Sequence, residues 1–265
     1  ASCAGATGDD DEGRLVRDTL SARGVHLDYL ATIPGAATRW ATILLDPSGE
    51  RVVLWGRDDA LSLGADMVAA IDVRTARLIH VDDTDLRASI QLATAARAAG
   101  KLVTTDVDGA VTGARVRGAR VPGAGALVPG AQVLGAIELL KVATHPIVSE
   151  EALLGLTGEA DPERGLRALR SECAGLLCVT LGARGAIALE GDTLLSAPGI
   201  QVTPVDTTGA GDVFRAGFIY GLLAGWPTAQ SLRFANTAAA SSCTRLGAIS
   251  STDGVTELRN DGMTE

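Results

Sequence analysis

From about residue 77 onward, apolar runs of strand length alternate with stretches of helical pattern, as a mostly parallel sheet with covering helices requires. Arg77-Leu78-Ile79-His80-Val81 predicts a strand, Asp85 to Ala99 a helix, and Lys101 to Val107 the next strand, together one βαβ unit. Asp161-Pro162-Glu163 supplies an N-cap, a first-turn proline and a first-turn acid, which predicts a helix running to about Cys173. Leu176 to Leu181 follows as a buried strand. Earlier, the apolar runs Ala41 to Leu45 and Arg51 to Trp55 flank Asp46-Pro47-Ser48-Gly49-Glu50, a turn-forming stretch. A β-hairpin standing off the α/β body is expected there. Gly113 to Gly135, rich in Gly, Ala, Val and Pro with little period, reads as irregular chain and not as a domain linker. No internal repeat of roughly 20 to 50 residues is visible.

Composition narrows the class. A length of 265 residues suits one large α/β domain or two small ones, with a substantial buried core. Hydrophobic residues at 46% and charged residues at 21% give a globular balance, while aromatics at 3% leave the core to Ala, Val, Leu and Ile. The formal charge of −9 argues against non-specific attraction to nucleic acid or an anionic membrane, so a phosphate site must be built locally. Cys3, Cys173, Cys178 and Cys243 lack CxxC spacing and nearby histidines, and are expected as reduced cytoplasmic thiols. No stretch reaches the ~20 apolar residues of a membrane span. Asp9-Asp10-Asp11-Glu12 is acidic where a signal peptide would be basic.

The candidate chemistry lies in Val205-Asp206-Thr207-Thr208-Gly209-Ala210-Gly211-Asp212-Val213-Phe214, followed by a helix over Arg215 to Ala224. Small residues at 209 to 211 let the backbone turn sharply and bring successive N–H groups toward an anion. The following helix adds its own unsatisfied N–H groups and the positive end of its dipole. Asp212, at the helix mouth, is kept ionised there and can accept a proton from an alcohol attacking a nearby phosphorus. An isolated Gly-x-Gly-Asp would be better explained as a capped helix after a glycine turn. The sequence carries no GxxxxGK[ST] P-loop, no HExxH and no GxSxG elbow, and its His26, His80 and His145 do not suggest histidine chemistry.

The full string Asp-Thr-Thr-Gly-Ala-Gly-Asp-x-Phe resembles the C-terminal signature of the ribokinase family of carbohydrate kinases, also called the PfkB family. The resemblance implies a ribokinase-like three-layer α/β sandwich, one domain over residues 1–265, with a mostly parallel sheet and a small β lid. It implies ATP and Mg2+ as cofactors, Asp212 as catalytic base, and an anion hole at Gly209, Ala210, Gly211 and the Asp212 amide. Val179-Thr180-Leu181-Gly182-Ala183-Arg184-Gly185-Ala186 resembles the family's strand-turn segment beside the nucleotide, which implicates Thr180, Gly182 and Gly185, with Thr208. Phe234-Ala235-Asn236-Thr237-Ala238-Ala239-Ala240 resembles the helix lining the adenine pocket, with Asn236 as polar contact. The hairpin around 38–56 matches the lid, often a homodimer contact, from which Arg39 or Asp58 would reach substrate. Resemblance to ribokinase adds K+ near Asp206, Thr208 and Ser251. The acceptor is a sugar or a nucleoside, two classes that the sequence does not separate.

The chain departs from the family pattern in two places. Ala4-Gly5-Ala6-Thr7-Gly8-Asp9-Asp10-Asp11-Glu12-Gly13 looks like a glycine and aspartate segment that in the family follows a first strand, a sugar-contacting aspartate and a Gly-Gly-x-x-x-Asn motif. The expectation is weak acceptor binding, with a non-catalytic nucleotide-binding remnant as the rival reading. At Ile147-Val148-Ser149-Glu150-Glu151-Ala152 the family often shows Asn-x-x-Glu near magnesium. Ser149 takes the asparagine's place, and the gap-free register puts the glutamate on Ala152, so Glu150 or Glu151 serves only if the turn shifts.

Overall fold

The structure, a computed structural model, describes residues 1–45, 51–108 and 129–249. They form two compact units, Ala1–Asp72 and Val73–Glu265.

In the first unit, β1 (Ser2–Gly8) pairs in parallel with β2 (His26–Ile33) across the helix Asp11–Ala22. Asp10 N-caps that helix through Gly13 N and also accepts hydrogen bonds from the backbone and hydroxyl of Thr38 at 2.7 and 2.5 Å. Thr38 Oγ1 in turn accepts the Gly8 amide at 2.9 Å. A Cβ on Gly8 would lie 2.1 Å from the Ala36 carbonyl oxygen, so the glycine-aspartate segment is a steric and polar knot. The expected hairpin is present as antiparallel β3 (Trp40–Leu45) and β4 (Arg51–Gly56), with the turn at 46–50 outside the described residues.

The second unit contains the predicted βαβ motif: β5 (Leu78–Asp82), the helix Leu86–Ala98, and β6 (Leu102–Asp106) parallel to β5. Bridges Thr104–His145 and Val107–Val148 carry the ladder from β6 to β7 (Ile147–Ser149), and β7 runs parallel to β8 (Leu177–Thr180). The buried Thr105 hydroxyl closes a gap in this ladder, donating to the Ile147 carbonyl at 3.1 Å and accepting its amide at 3.0 Å. Two antiparallel strands, β9 (Gly185–Glu190) and β10 (Thr193–Pro198), complete the order. The helix expected to reach Cys173 spans Pro162–Arg170.

Two expectations need correction. Pro129–Val142 is an α-helix, so the last part of the stretch expected to be irregular is regular, while 113–128 lies outside the described residues. Its Ala136, Leu139 and Leu140 are fully buried. Its exposed side includes an apolar residue, Leu134, beside Glu138 and Lys141, so the polar stripe is blurred and the period is hard to see. The signature helix also begins earlier than Arg215, spanning Ala210–Ala224.

That last helix is pinned by packing. Phe214 and Phe218, one turn apart, stack with ring centroids 6.3 Å apart and are buried with Ile147, Cys178, Leu232 and Ala235. Gly217 and Gly221 let the helix Thr228–Ser242 approach: a Cβ on Gly217 would lie 2.9 Å from Ala235 Cα, and one on Gly221 2.4 Å from Ser231 Oγ. We predict that Gly217→Val destabilises the protein by about 1–3 kcal/mol through overpacking. Thermal melting checks it, and an unchanged midpoint would contradict the packing account.

Candidate active site

The turn before the signature helix is set by backbone conformation. Gly209 is the N-cap of the Ala210–Ala224 helix with φ +77°, in the left-handed region that glycine adopts without a Cβ penalty. The Ala210 amide bonds the Thr207 carbonyl at 3.2 Å and the Val213 amide bonds the Gly209 carbonyl at 2.9 Å. Among the described residues, the amides of Gly211 and Asp212 have no backbone partner. They are first-turn donors of the kind that a helix leaves for an anion. Asp212 is exposed in this same first turn.

Asp206 tightens the approach to the turn. One carboxylate oxygen accepts the Thr208 amide and the other the Gly247 amide, both at 2.9 Å. The amides of Val205 and Asp206 bond the Cys243 carbonyl at 2.8 and 3.2 Å, and a Cβ on Gly209 would touch Ala248. The chain after the Thr228–Ser242 helix therefore braces the turn. Ser251 lies outside the described residues.

The nucleotide-segment residues fall on one end of the sheet. Thr180 ends β8, Gly182 (φ +58°) opens a short 3-10 turn, and Gly185 (φ +97°) starts β9. A Cβ on Gly185 would lie 2.2 Å from the Ala197 carbonyl oxygen. Asn236 is buried and donates to the carbonyls of Ala197 and Pro198 at 2.8 and 3.2 Å, fastening its helix to the end of β10. Its amide thus has a packing task independent of any ligand. Ser149 N-caps the helix Glu150–Thr157 through Ala152 N, and Ala152 is fully buried. Glu150 pairs with Arg184, and Glu151 is exposed.

In the first unit, Arg39 lies over the Trp55 ring, 5.6 Å from its centroid. Asp58 caps a short 3-10 turn, accepting from Ala60 N and Ala37 N at 2.9 and 3.1 Å, and these bonds hold its carboxyl below the usual range. It lines a depression with Ala37, Thr38, Trp40, Gly56 and Arg57.

Sequence reasoning passed over Arg215. Only 3% exposed, it places its Nη2 2.5 Å from Asp106 Oδ1 and 3.0 Å from Asp108 Oδ2 at the end of β6. A charged residue on a helix ordinarily marks the solvent face; the signal that could have singled it out is its position directly after the Asp-x-Phe string. Burial pushes the Asp106 carboxyl upward, with Arg215 pulling against it and the charges of Asp108, Asp212 and Asp83 adding to the rise. His80 keeps accessible surface, yet desolvation of its ring and then the Arg215 charge lower its pKa to about 4. Among the described residues no cluster of three acidic, histidine or cysteine side chains forms a metal cage. None of their helices is long and apolar enough to cross a membrane, and all four cysteines are free.

Turn, helix and sheet together define an α/β protein, and sequence comparison gives it a family. Residues 1–124 and 126–254 match the pfkB family carbohydrate kinase profile, and the chain belongs to that family. It is 28% identical over 262 residues to fructokinase-2 of Oryza sativa subsp. japonica, covering 92% of this chain and 74% of that relative. It is 26% identical over 272 residues to a fructokinase of Vibrio alginolyticus, covering 96% and 83% respectively. The structure of Arabidopsis thaliana ribokinase complexed with ribose and ATP superposes with a TM-score of 0.76 at 26% identity, covering 98% of this chain and 82% of that one. The fold is ribokinase-like, and the protein is a carbohydrate kinase by family.

Two outcomes follow from this geometry. Asp206→Ala should cost about 1.5–3 kcal/mol, the range for hydrogen bonds to a charged group, measured by denaturant unfolding. An unchanged free energy would remove the brace from the account. His80, with its folded pKa depressed from 6.5 to about 4, leaves the unfolded chain binding the extra proton in that window. Its contribution to stability is therefore complete above pH 6.5 and is lost as pH falls toward 4. The difference in melting midpoint between wild type and His80→Gln should vary across that window, and a pH-independent difference would refute the assignment.

Proposed function

We propose that this chain transfers the γ-phosphoryl group of ATP to a hydroxymethyl or similar hydroxyl of a sugar, with Asp212 as general base. The observation that carries this reading is the exposed Asp212 carboxylate beside the open amides of Gly211 and Asp212, after left-handed Gly209. The acceptor hydroxyl gives its proton to Asp212 as its oxygen bonds to the γ-phosphorus; the bond to the β–γ bridging oxygen breaks, and ADP leaves. The turn's amides, with Gly209 and Ala210 shaping it, stabilise charge on the transferring group. Thr180, Gly182, Gly185 and Thr208 form the nucleotide side of the proposal. Asn236 holds that side together through β10 while serving the adenine.

Magnesium, when bound, neutralises phosphate charge, and the exposed Glu151 is the acid put forward for its shell. A carboxylate has lone pairs beyond the two that Asp206 commits to backbone amides, so K+ beside Asp206 and Thr208 belongs to the same proposal. Arg39, Asp58 and the β3–β4 hairpin are proposed as the acceptor lid and as a homodimer contact, within one kinase domain working in the cytoplasm. The fructokinase relatives and the ribose-bound ribokinase favour a sugar over a nucleoside as acceptor.

A panel of sugars and nucleosides in an ATP-consumption assay tests the acceptor class, with turnover of a sugar expected. Asp212→Asn should lower kcat by about 10²- to 10⁴-fold, the usual loss of a positioned base, and leave ATP affinity within a few fold. A variant that keeps more than about a tenth of the wild-type rate would show that Asp212 is not the base.

A further inference from the structure

On the reading that Asp212 is the base, we infer that Arg215 is a positioning residue, fastening the phosphate-facing turn to the end of β6. Arg215 lies three residues beyond Asp212 in the same helix, one turn deeper into the protein. Its guanidinium reaches two carboxylates of β6 and the residues just after it, Asp106 Oδ1 at 2.5 Å and Asp108 Oδ2 at 3.0 Å. The other side of the guanidinium lies under the turn: a Cβ on Gly211 would sit 2.6 Å from Arg215 Nη1. A side chain at 211 would therefore meet the guanidinium beneath it.

The cluster extends to the neighbouring strand, because Asp83, just after β5, accepts the Asp108 amide at 3.1 Å. The ends of β5 and β6 and the mouth of the helix are thus joined through Arg215 and its acids. This is the end of a parallel sheet at which α/β proteins gather their chemistry. The charges facing Arg215 come from several elements: Asp106 and Asp108 at the end of β6, Asp83 after β5, and Asp212 on its own helix. His80 on β5 and Cys178 on β8 also lie within its field. A guanidinium fixed among these acids holds the first turn of the helix to the end of β6. A contact of purely structural importance would alter melting behaviour without changing kcat in the folded protein.

The test separates positioning from stability. Arg215→Lys keeps the charge and loses the fork across two carboxylates, so kcat should fall about tenfold or more with little change in acceptor KM. Arg215→Gln should lower kcat in the same way, and in both variants the Gly211 and Asp212 backbone amide resonances should move from their wild-type positions. If Arg215→Gln fails to fold, the double variant Asp106→Asn/Arg215→Gln, which leaves no unpaired buried partner, takes its place. Unmoved Gly211 and Asp212 amide resonances in a folded Gln-bearing variant, or wild-type kcat in Arg215→Lys, overturns the inference. A wild-type protein that turns over no acceptor would defeat the proposed function instead, and the amide resonances of the variants would still decide the role of Arg215.

Discussion

The first turn of the Ala210–Ala224 helix can present amides and a carboxylate to a ligand only because its later turns are held fast. Phe214 and Phe218 anchor one face among Ile147, Cys178 and Leu232, and the missing side chains of Gly217 and Gly221 admit the Thr228–Ser242 helix along another. At the far end Gly225, with φ +74°, closes the helix, and Arg77 donates to the Leu223 carbonyl at 2.6 Å. A helix fixed along its length transmits little motion to its mouth, which is the preorganisation that electrostatic stabilisation of a developing charge requires.

At that mouth the open donors come from backbone, through left-handed Gly209 and the brace at Asp206, so they add no net charge in a protein whose overall charge is −9. Beneath it lies the buried Arg215 guanidinium, within 3.0 Å of Asp106 and Asp108 at the end of β6. A buried arginine stripped of those acids would be strongly destabilising, so the arrangement stands or falls as a unit.

The signature turn was legible because local chemistry alone dictates it: few residues other than glycine accept the conformation at 209. The βαβ unit from Leu78 to Asp106 and the hairpin strands were legible as short apolar and β-branched runs separated by a helical stretch or by turn-forming residues. The start of the Ala210–Ala224 helix was placed too late, since Gly211 and Asp212 have weak helical propensity and tertiary packing at Phe214 makes the decision. The strand Ile147–Ser149 is too short to show a period, and β9 and β10 became clear only as partners of β8. In the candidate site, Asp212 and its glycines could be picked out by motif, whereas Arg215 could not. Its partner Asp108 stands 107 positions earlier in the chain, a separation at which only the fold brings residues together. Asn236 shows the converse: resemblance to a helix lining an adenine pocket suggested a ligand, and the structure gives its amide two backbone carbonyls to hold.

The central claim is that the open amides of Gly211 and Asp212 receive the transferring phosphoryl group. Backbone 15N NMR with a non-hydrolysable ATP analogue tests it most directly. The account predicts that the Gly211 and Asp212 amide protons shift downfield and exchange more slowly when the analogue binds, and that ADP has a smaller effect. Saturating analogue that perturbs Thr180 and Gly182 but leaves the Gly211 and Asp212 amides unmoved would contradict it.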